Sequence, residues 1–409
     1  MFSFFSQKKL ESEYIYLDHA SATPIDSGVL ETFHTIQKTH FANPGSIHRL
    51  GIEAKKDIDG ARKKVATALQ VRSEEIIFTA SGTESNNLAI HGVIHSAKKS
   101  GVAVPHVITT NIEHASVLEP LRQLAQQGEI KLTVVPATPE GIIETKSIRE
   151  MLTPETVLVS IIHANNEVGT IQPVREIGKM LEKYKEANKS VYPYFHSDAC
   201  QSVNYLDIRP EAFRVDICTL NSSKIYAPRG AGILYVSKRV KIDPIIVGGD
   251  QEHGMRAGTE NTAAIVACGD ALEKTVSMRE AEFVRLKELQ AYIFTKLCES
   301  IPDMKVWGSR KDGERIPNNI NVSVPGVFSE EFVVGLDMKK IAISSKSACG
   351  MNDDEGSYVI RALGGTEQES KEAIRISMGR NTTRTHIDTL VFEMKKVMER
   401  HNKATQYLA

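Results

Sequence analysis

The segment that decides the fold reads VDICTLNSSK (215–224), IYAPRGAG (225–232) and ILYV (233–236). Two short β-favouring runs flank a polar turn closed by proline and glycine, a pattern that predicts strand, loop and strand. Lys224 stands at the exit of the first strand, beside the amide and hydroxyl groups of Asn221, Ser222 and Ser223. An amine there can form a Schiff base with an aldehyde while its neighbours hold a phosphate. Taken alone, the segment is more simply explained as a surface lysine in a polar loop.

Composition limits the classes of function. The chain has 409 residues, 41% of them hydrophobic and 25% charged, with a formal charge of -1. Its length predicts two domains, and the absence of a basic stripe argues against nucleic acid. The apolar start of the chain is interrupted at Lys8 and Lys9, too early for a signal peptide or a membrane span. Five cysteines without a CxxC pair or a zinc-ribbon spacing indicate thiols in a cytoplasmic protein and predict no metal site.

Polar segments follow the predicted strands of the first part of the chain. Gly82 and Thr83 open a predicted helix, where backbone N–H groups can hold a phosphate, although a simple helix cap explains them equally well. His114 follows a strand near 106–110, and Asp198 follows one near 192–196. Open parallel sheets place ligands at these carboxyl ends. Plain structural explanations remain, since His114 can be a satisfied boundary histidine and Asp198 a helix cap.

The order of the segments predicts the architecture. Strand followed by helix recurs from Ile76 to Leu234, which is typical of a mostly parallel sheet covered by helices. A long helix over about 261–299 leads out of this part, and strands near 319–324 and 373–378 predict a smaller α+β unit. We therefore expect an α/β chain with a large domain at 16–262 and a small domain formed by 1–15 and 263–409.

A hydrophilic segment of the second part, SSKSACGMNDDEGS (344–357), carries Cys349. It has two glycines, three acidic residues and almost no large apolar side chain, so it can bury little surface to offset its ordering entropy. The segment therefore predicts a mobile surface loop over about 346–355 with an exposed thiol.

Eleven ordered blocks carry a resemblance to a known family: YLDHASATP, NPGSIH, SGTESNNLAI, IEHASVLEP, HANNEVGTIQ, SDACQSV, SKIYAPRGAG, GMRAGT, SSKSACG, SYVIRALG and IRISMGR. With these blocks the chain resembles the fold-type I pyridoxal phosphate enzymes, and within them the cysteine desulfurases of the NifS/IscS type. The likeness extends from Tyr16 to about Thr383. It implies the large cofactor-binding domain and smaller α+β domain that the strand order also predicts.

The resemblance implies a role for each matching residue. Lys224 would bind pyridoxal 5'-phosphate as a Schiff base, Asp198 would pair with the pyridine nitrogen, and His114 would stack on the ring. The other implied cofactor contacts are Asn166 and Gln201 near the 3-oxygen, Gly82, Thr83, Asn221 and Ser223 at the phosphate, and Thr259 at the phosphate of a neighbouring subunit. A homodimer follows from the last of these.

The implied reaction converts L-cysteine to L-alanine and leaves the sulfur on Cys349 as a persulfide. Arg375 would clamp the substrate carboxylate beside Asn166, while Lys224 would move the Cα proton and His114 would help with proton transfer. The sulfur would then pass to an acceptor protein for iron–sulfur cluster assembly or tRNA thiolation.

Four positions depart from the usual pattern of the family, and two of them, Ala227 in place of a common glycine and Lys346 in place of a small residue, do not touch the chemistry directly. Ser223 stands where a histidine usually precedes the Schiff-base lysine, and Asn221 replaces a small Ser or Thr; both side chains can still donate to a phosphate. The alternatives are another class V activity, namely a selenocysteine or sulfinate lyase or an aminotransferase, and an inactive scaffold. A thiol at Cys349 argues against transamination, and the chemistry-bearing residues argue against a scaffold.

Overall fold

The computed structural model describes residues 14–345 and 356–408. Its strands are β1 (Ile15–Tyr16), β2 (Ile76–Thr79), β3 (His106–Thr110), β4 (Lys131–Val135), β5 (Thr156–Ser160), β6 (Tyr194–Asp198), β7 (Ile217–Asn221), β8 (Gly232–Val236), β9 (Lys305–Val306), β10 (Asn319–Ser323), β11 (Ile341–Ala342) and β12 (Ala373–Ser377). Its α-helices are α1 (Ser27–Thr39), α2 (Arg49–Leu69), α3 (Gly82–Lys99), α4 (Ala115–Gln126), α5 (Thr145–Glu150), α6 (Val174–Asn188), α7 (Pro210–Phe213), α8 (Thr262–Ser300), α9 (Ser329–Asp337), α10 (Tyr358–Ala362), α11 (Glu367–Glu372) and α12 (Arg384–Leu408).

Seven strands form the main sheet in the order β2-β8-β7-β6-β5-β3-β4. The neighbours from β7 to β4 are parallel, and β8 runs antiparallel to both β2 and β7. Crossover helices join the parallel strands, so the carboxyl ends of β3, β5, β6 and β7 lie at one edge. The mostly parallel sheet expected from the sequence is confirmed.

Alternate residues of each strand enter two hydrophobic cores. Phe78, Ile108 and Phe195 belong to one core, whereas Ile77 and Val107 belong to the other. Successive side chains of a strand point to opposite faces, so the two cores cover the two faces of the sheet. This double burial explains why the strands read as apolar runs in the sequence.

The second part of the chain has its own sheets and core. Strands β12, β10 and β9 form an antiparallel sheet, and β1 pairs in parallel with β11. A third core joins residues of this part, including Ile320, Phe332 and Ile376, with Leu17 near the start of the chain. The predicted α+β character is therefore present, while the domain limits 16–262 and 263–409 stay a prediction.

One helix connects the two parts. Helix α8 contributes Ala264 and Leu272 to a core of the main sheet, and Leu286, Ile293 and Leu297 to the core of the second part. Within the described residues, no helix is long and apolar enough to cross a membrane. The predicted loop over 346–355, with Cys349, lies outside the described residues.

Candidate active site

A cavity of about 120 Å³ opens where the parallel strands end. His114 follows β3, Asn166 follows β5, Asp198 ends β6 and Lys224 follows β7, so the topology brings residues from distant parts of the sequence to one edge. The cavity is lined by these predicted site residues: Gly82, Thr83, His114, Asn166, Asp198, Gln201, Asn221, Lys224 and Arg375.

Three predicted residues do not belong to this lining. Ser223 lies in the same turn as Lys224, where its N–H donates to Asn221 Oδ1 over 3.2 Å and its carbonyl accepts from the Thr23 N–H over 2.9 Å. Thr259 is exposed to solvent and does not line the cavity of its own chain. Cys349 lies outside the described residues.

Lys224 extends its amine into the cavity from a 3-10 turn, Ser222–Lys224, that Asn221 caps. Lys224 Nζ donates to the Ala20 carbonyl over 2.9 Å and also to the Ser21 carbonyl. Its own carbonyl accepts a hydrogen bond from Asn204 Nδ2 at 2.6 Å. These contacts hold the amine at the cavity wall.

Asp198 is 5% exposed and keeps both carboxylate oxygens hydrogen-bonded. Oδ2 accepts from Asn86 Nδ2 over 2.8 Å, and Oδ1 accepts from the Cys200 N–H over 3.0 Å. Two donors hold the carboxylate in one orientation. Burial, followed by the charge of Asp198, raises the pKa of the neighbouring Cys200 thiol well above its ordinary value, so Cys200 is protonated at neutral pH.

Arg375 is 2% exposed and is held by several acceptors. Its terminal nitrogens donate to the Asn166 carbonyl over 3.0 Å, to Asp18 Oδ1 over 2.9 Å and to Ser21 Oγ over 2.6 Å. Among the described residues, Nε is buried without a hydrogen-bond partner. A carboxylate entering the cavity would satisfy this donor, because an unpaired buried N–H is costly.

The start of α3 can hold an anion. Ser81 caps the helix through the Glu84 N–H, which leaves Gly82 and Thr83 as the first helical residues facing the cavity. A Cβ at Gly82 would lie 3.1 Å from Cys200 Sγ and 3.2 Å from Asn221 Cβ, so glycine keeps this approach open. Backbone N–H groups and the helix dipole suit a phosphate here.

These observations test the fit of pyridoxal phosphate. One cavity is lined by the Lys224 amine, the buried Asp198 carboxylate and the helix N-terminus at Gly82. These groups suit the aldehyde, the pyridine nitrogen and the phosphate of the cofactor, in that order. Asn166 Oδ1 is buried without a partner among the described residues, as expected of a group that awaits a ligand. The residues fit the cofactor, whereas the described residues hold no cluster suited to a metal ion.

Sequence reasoning gave no role to several residues of the site. Asn86 and Ser116 line the cavity and bond to predicted site residues, and Asp18 and Ser21 hold Arg375. The sequence blocks contain all four, but no spacing rule links residues so far apart in the chain.

Two buried histidines, His163 and His196, have a pKa lowered to about 4 by burial and stay neutral inside the protein.

Fold and site together define a fold-type I pyridoxal phosphate enzyme. The family described as aminotransferase class-V matches residues 15–390. The chain belongs to this family. Its predicted resemblance to cysteine desulfurases of the NifS/IscS type is confirmed by the relatives described next.

A cysteine desulfurase IscS of Dictyoglomus turgidum is 37% identical over 96% of this chain and 96% of its own length. Among solved structures, a NifS-like protein is 30% identical, covers 94% of this chain and 99% of its own, and gives a TM-score of 0.86. The structure titled SspA in complex with cysteine is 32% identical, covers 89% of this chain and 98% of its own, and gives a TM-score of 0.75.

Proposed function

We propose that the protein is a cysteine desulfurase that converts L-cysteine to L-alanine and leaves the sulfur on Cys349. The observation that carries the proposal is the convergence of Lys224, Asp198, His114 and Arg375 on one cavity. Relatives named cysteine desulfurase over nearly the full chain support the same activity, and no observation favours the other class V reactions.

Pyridoxal phosphate, when bound, supplies an aldehyde that condenses with amines and a pyridine ring that withdraws electrons from the substrate Cα. Lys224 would hold it through the amine, and the N-terminus of α3 with Asn221 would hold its phosphate. Asp198 would keep a proton on the pyridine nitrogen, because a buried carboxylate with two fixed donors favours a cation beside it.

The chain itself binds and orients the substrate. Arg375 Nε would donate to the L-cysteine carboxylate, and the terminal nitrogen that donates to Asp18 would complete a two-point clamp by exchanging Asp18 for the substrate. The Asn166 carbonyl accepts from the other terminal nitrogen and so helps to fix the guanidinium plane. Lys224, the amine of the cavity, moves the proton at the substrate Cα.

The sulfur acceptor within the chain is proposed from the described residues that flank it. Ser344 pairs with Arg375 through backbone hydrogen bonds of 3.1 and 2.7 Å, so the chain leaves the cavity wall five residues before Cys349. Five residues span at most about 17 Å, which is enough to reach the substrate. The Cys349 thiolate takes the substrate sulfur, forming an S–S bond as the C–S bond breaks, and alanine retains the carbon skeleton.

The wider setting is part of the same proposal. The exposed Thr259 would complete the phosphate site of a second copy in a homodimer. Cys349 would pass its sulfur to an acceptor protein that serves iron–sulfur cluster assembly or tRNA thiolation. The described cysteines, 200, 218, 268 and 298, are all free thiols, which supports a cytoplasmic location.

The test measures alanine and sulfide from L-cysteine with the protein loaded with pyridoxal phosphate. We expect equal amounts of both in the presence of a reducing thiol. Lys224→Ala should lose the visible absorbance of the lysine-bound cofactor and all turnover, whereas Cys349→Ser should keep the absorbance and release no sulfide. Lys238→Ala, at an exposed lysine outside the cavity, is the control. A keto acid as the main product, or a normal absorbance in Lys224→Ala, contradicts the proposal.

A further inference from the structure

Four side chains form a continuous hydrogen-bonded chain across the cavity. Asn86 Nδ2 donates to Asp198 Oδ2 over 2.8 Å and to Ser116 Oγ over 2.8 Å, and Ser116 Oγ lies 2.7 Å from His114 Nδ1. Asn86 and Ser116 are 1% and 8% exposed, so water does not compete with these bonds. These hydrogen bonds connect Asp198, which is predicted to pair with the pyridine nitrogen, to His114, which is predicted to stack on the ring.

The direction of each bond follows from chemistry. The Asp198 carboxylate only accepts hydrogen bonds, so Asn86 must turn its amino group toward it and donate one N–H to it. The other N–H reaches Ser116 Oγ. Asn86 Oδ1 is left buried without a partner among the described residues, which shows that the two donor bonds, and not the carbonyl, set the orientation of the amide.

The hydroxyl of Ser116 is therefore directed at His114. Ser116 Oγ accepts from Asn86 and keeps one proton to donate, and His114 Nδ1 is its acceptor because this nitrogen already accepts a backbone N–H and so carries no proton. The Ser116 backbone N–H donates to the same nitrogen over 3.1 Å, since His114 caps helix α4. A ring nitrogen that receives two donors carries no proton, so the neutral imidazole keeps its proton on Nε2.

We propose that Asn86 is a positioning residue that fixes the Nε2–H tautomer of His114 and the orientation of Asp198 together. The proposal rests on the proposed function for its catalytic meaning, but the tautomer belongs to the protein itself. With this tautomer, neutral His114 offers a proton to the cavity rather than a lone pair. Asn86 acts through its neighbours and takes no proton itself.

The test replaces Asn86 by its isosteric acid. In Asn86→Asp the new carboxylate accepts the Ser116 hydroxyl proton, which leaves the backbone N–H as the sole donor to His114 Nδ1, and it places a second negative charge beside Asp198. Asn87→Asp is the matched control, because Asn87 is the next residue of α3, undergoes the same charge change, and donates to the Thr83 carbonyl on the helix surface.

The first readout needs neither cofactor nor turnover. Nitrogen-15 NMR of histidine-labelled protein without cofactor distinguishes the protonated from the unprotonated ring nitrogen, and His114→Gln assigns the signal. We expect unprotonated Nδ1 in the wild-type protein and in Asn87→Asp, and a mixture of tautomers in Asn86→Asp, because Ser116 Oγ can then accept a hydrogen bond from Nδ1–H in competition with the 3.1 Å backbone donor. An unchanged tautomer in Asn86→Asp overturns the proposal.

The second readout separates positioning from substrate binding. In the loaded enzyme, Asn86→Asp should lower kcat at least tenfold while the KM for L-cysteine changes less than threefold, because Arg375 binds the carboxylate elsewhere. Ser116→Ala, which removes the hydroxyl and keeps the backbone donor, should give a smaller loss and serves if Asn86→Asp does not fold. Full activity in both variants overturns the proposal. Failure of the wild-type protein to release alanine from cysteine would overturn the proposed function and leave the NMR result standing.

Discussion

Glu113 is a fully buried carboxyl group beside the site. It directly precedes His114, is 0% exposed and accepts hydrogen bonds at Oε1 from Thr110 and from the Ile162 N–H, each over 2.8 Å. Burial raises the pKa of its carboxyl to about 8. The folded protein therefore keeps a proton on Glu113 at pH values where the unfolded chain, with an ordinary pKa near 4.3, has lost it.

The raised pKa predicts how stability depends on pH. Between about pH 4.5 and 8 the folded state binds one proton more than the unfolded state, so the free energy of unfolding falls as pH rises and levels off above 8. Glu113→Gln mimics the protonated acid and should not lose this stability. The difference in free energy of unfolding between the variant and wild type should therefore shift in favour of the variant by more than about 1.4 kcal/mol from pH 5 to pH 8. Urea unfolding at pH 5, 6.5 and 8 measures this.

Glu119→Gln serves as the control for that series, because Glu119 is exposed on the surface of α4, where it pairs with Arg122. It should leave the slope of stability against pH unchanged. A wild-type slope in Glu113→Gln would show that another group, and not Glu113, holds the extra proton.

At the residue scale, the sequence predicts which groups meet in the site but not how they are connected. Lys224, Asp198, His114 and Arg375 follow from their blocks and lie together in the cavity. The bond from Asn86 to Asp198 joins residues 112 positions apart. Such a contact depends on the packing of α3 against the ends of the strands, which local patterns do not specify.

At the scale of elements, the start of α3 decides how closely a phosphate approaches. Gly82→Ala places a Cβ 3.1 Å from Cys200 Sγ and 3.2 Å from Asn221 Cβ, which is tight enough to displace residues of the cavity wall. We expect the affinity for pyridoxal phosphate to fall about tenfold, or about 1.4 kcal/mol. Absorbance titration of the protein without cofactor measures the dissociation constant.

Gly60→Ala is the matched control for this element. Gly60 lies inside α2, and an added Cβ would meet no described residue within 4 Å apart from its chain neighbours and its own helix, so the change removes backbone freedom without a clash. It should raise stability by roughly 0.5–1 kcal/mol and leave cofactor affinity unchanged. Equal affinities in the two variants would place the phosphate elsewhere.

Most elements could be predicted because their sequence pattern matches their burial. The helix predicted to end near Lys99 is α3, and the predicted helix over about 261–299 is α8 (Thr262–Ser300). Strand β4 was not predicted. Its residues are largely exposed or half-buried at the edge of the sheet, so Lys131–Val135 lacks the continuous apolar run that marks the central strands.

For the whole molecule, the fold class follows from the alternation of strand and helix, whereas the limits of the parts do not. Trp307, Val359 and Leu363 lie in the predicted small domain but pack in a core of the main sheet. Tyr358 beside them donates its hydroxyl proton to the Glu113 carbonyl. Contacts of this kind connect segments across the predicted boundary, and no composition shift in the sequence marks them.

The shared helix α8 has a consequence for thermal unfolding. Unfolding of the core of the second part would expose Leu286, Ile293 and Leu297 of α8. The helix would then be less stable along its whole length, including Ala264 and Leu272, which pack in a core of the main sheet. The two parts should therefore melt together, unlike domains joined by a linker. Trp307, the single tryptophan, is 3% exposed, so its fluorescence reports on the unfolding of the core that surrounds it. Its fluorescence and the far-UV circular dichroism should change at one temperature, and two separated transitions would mean that α8 breaks between the cores.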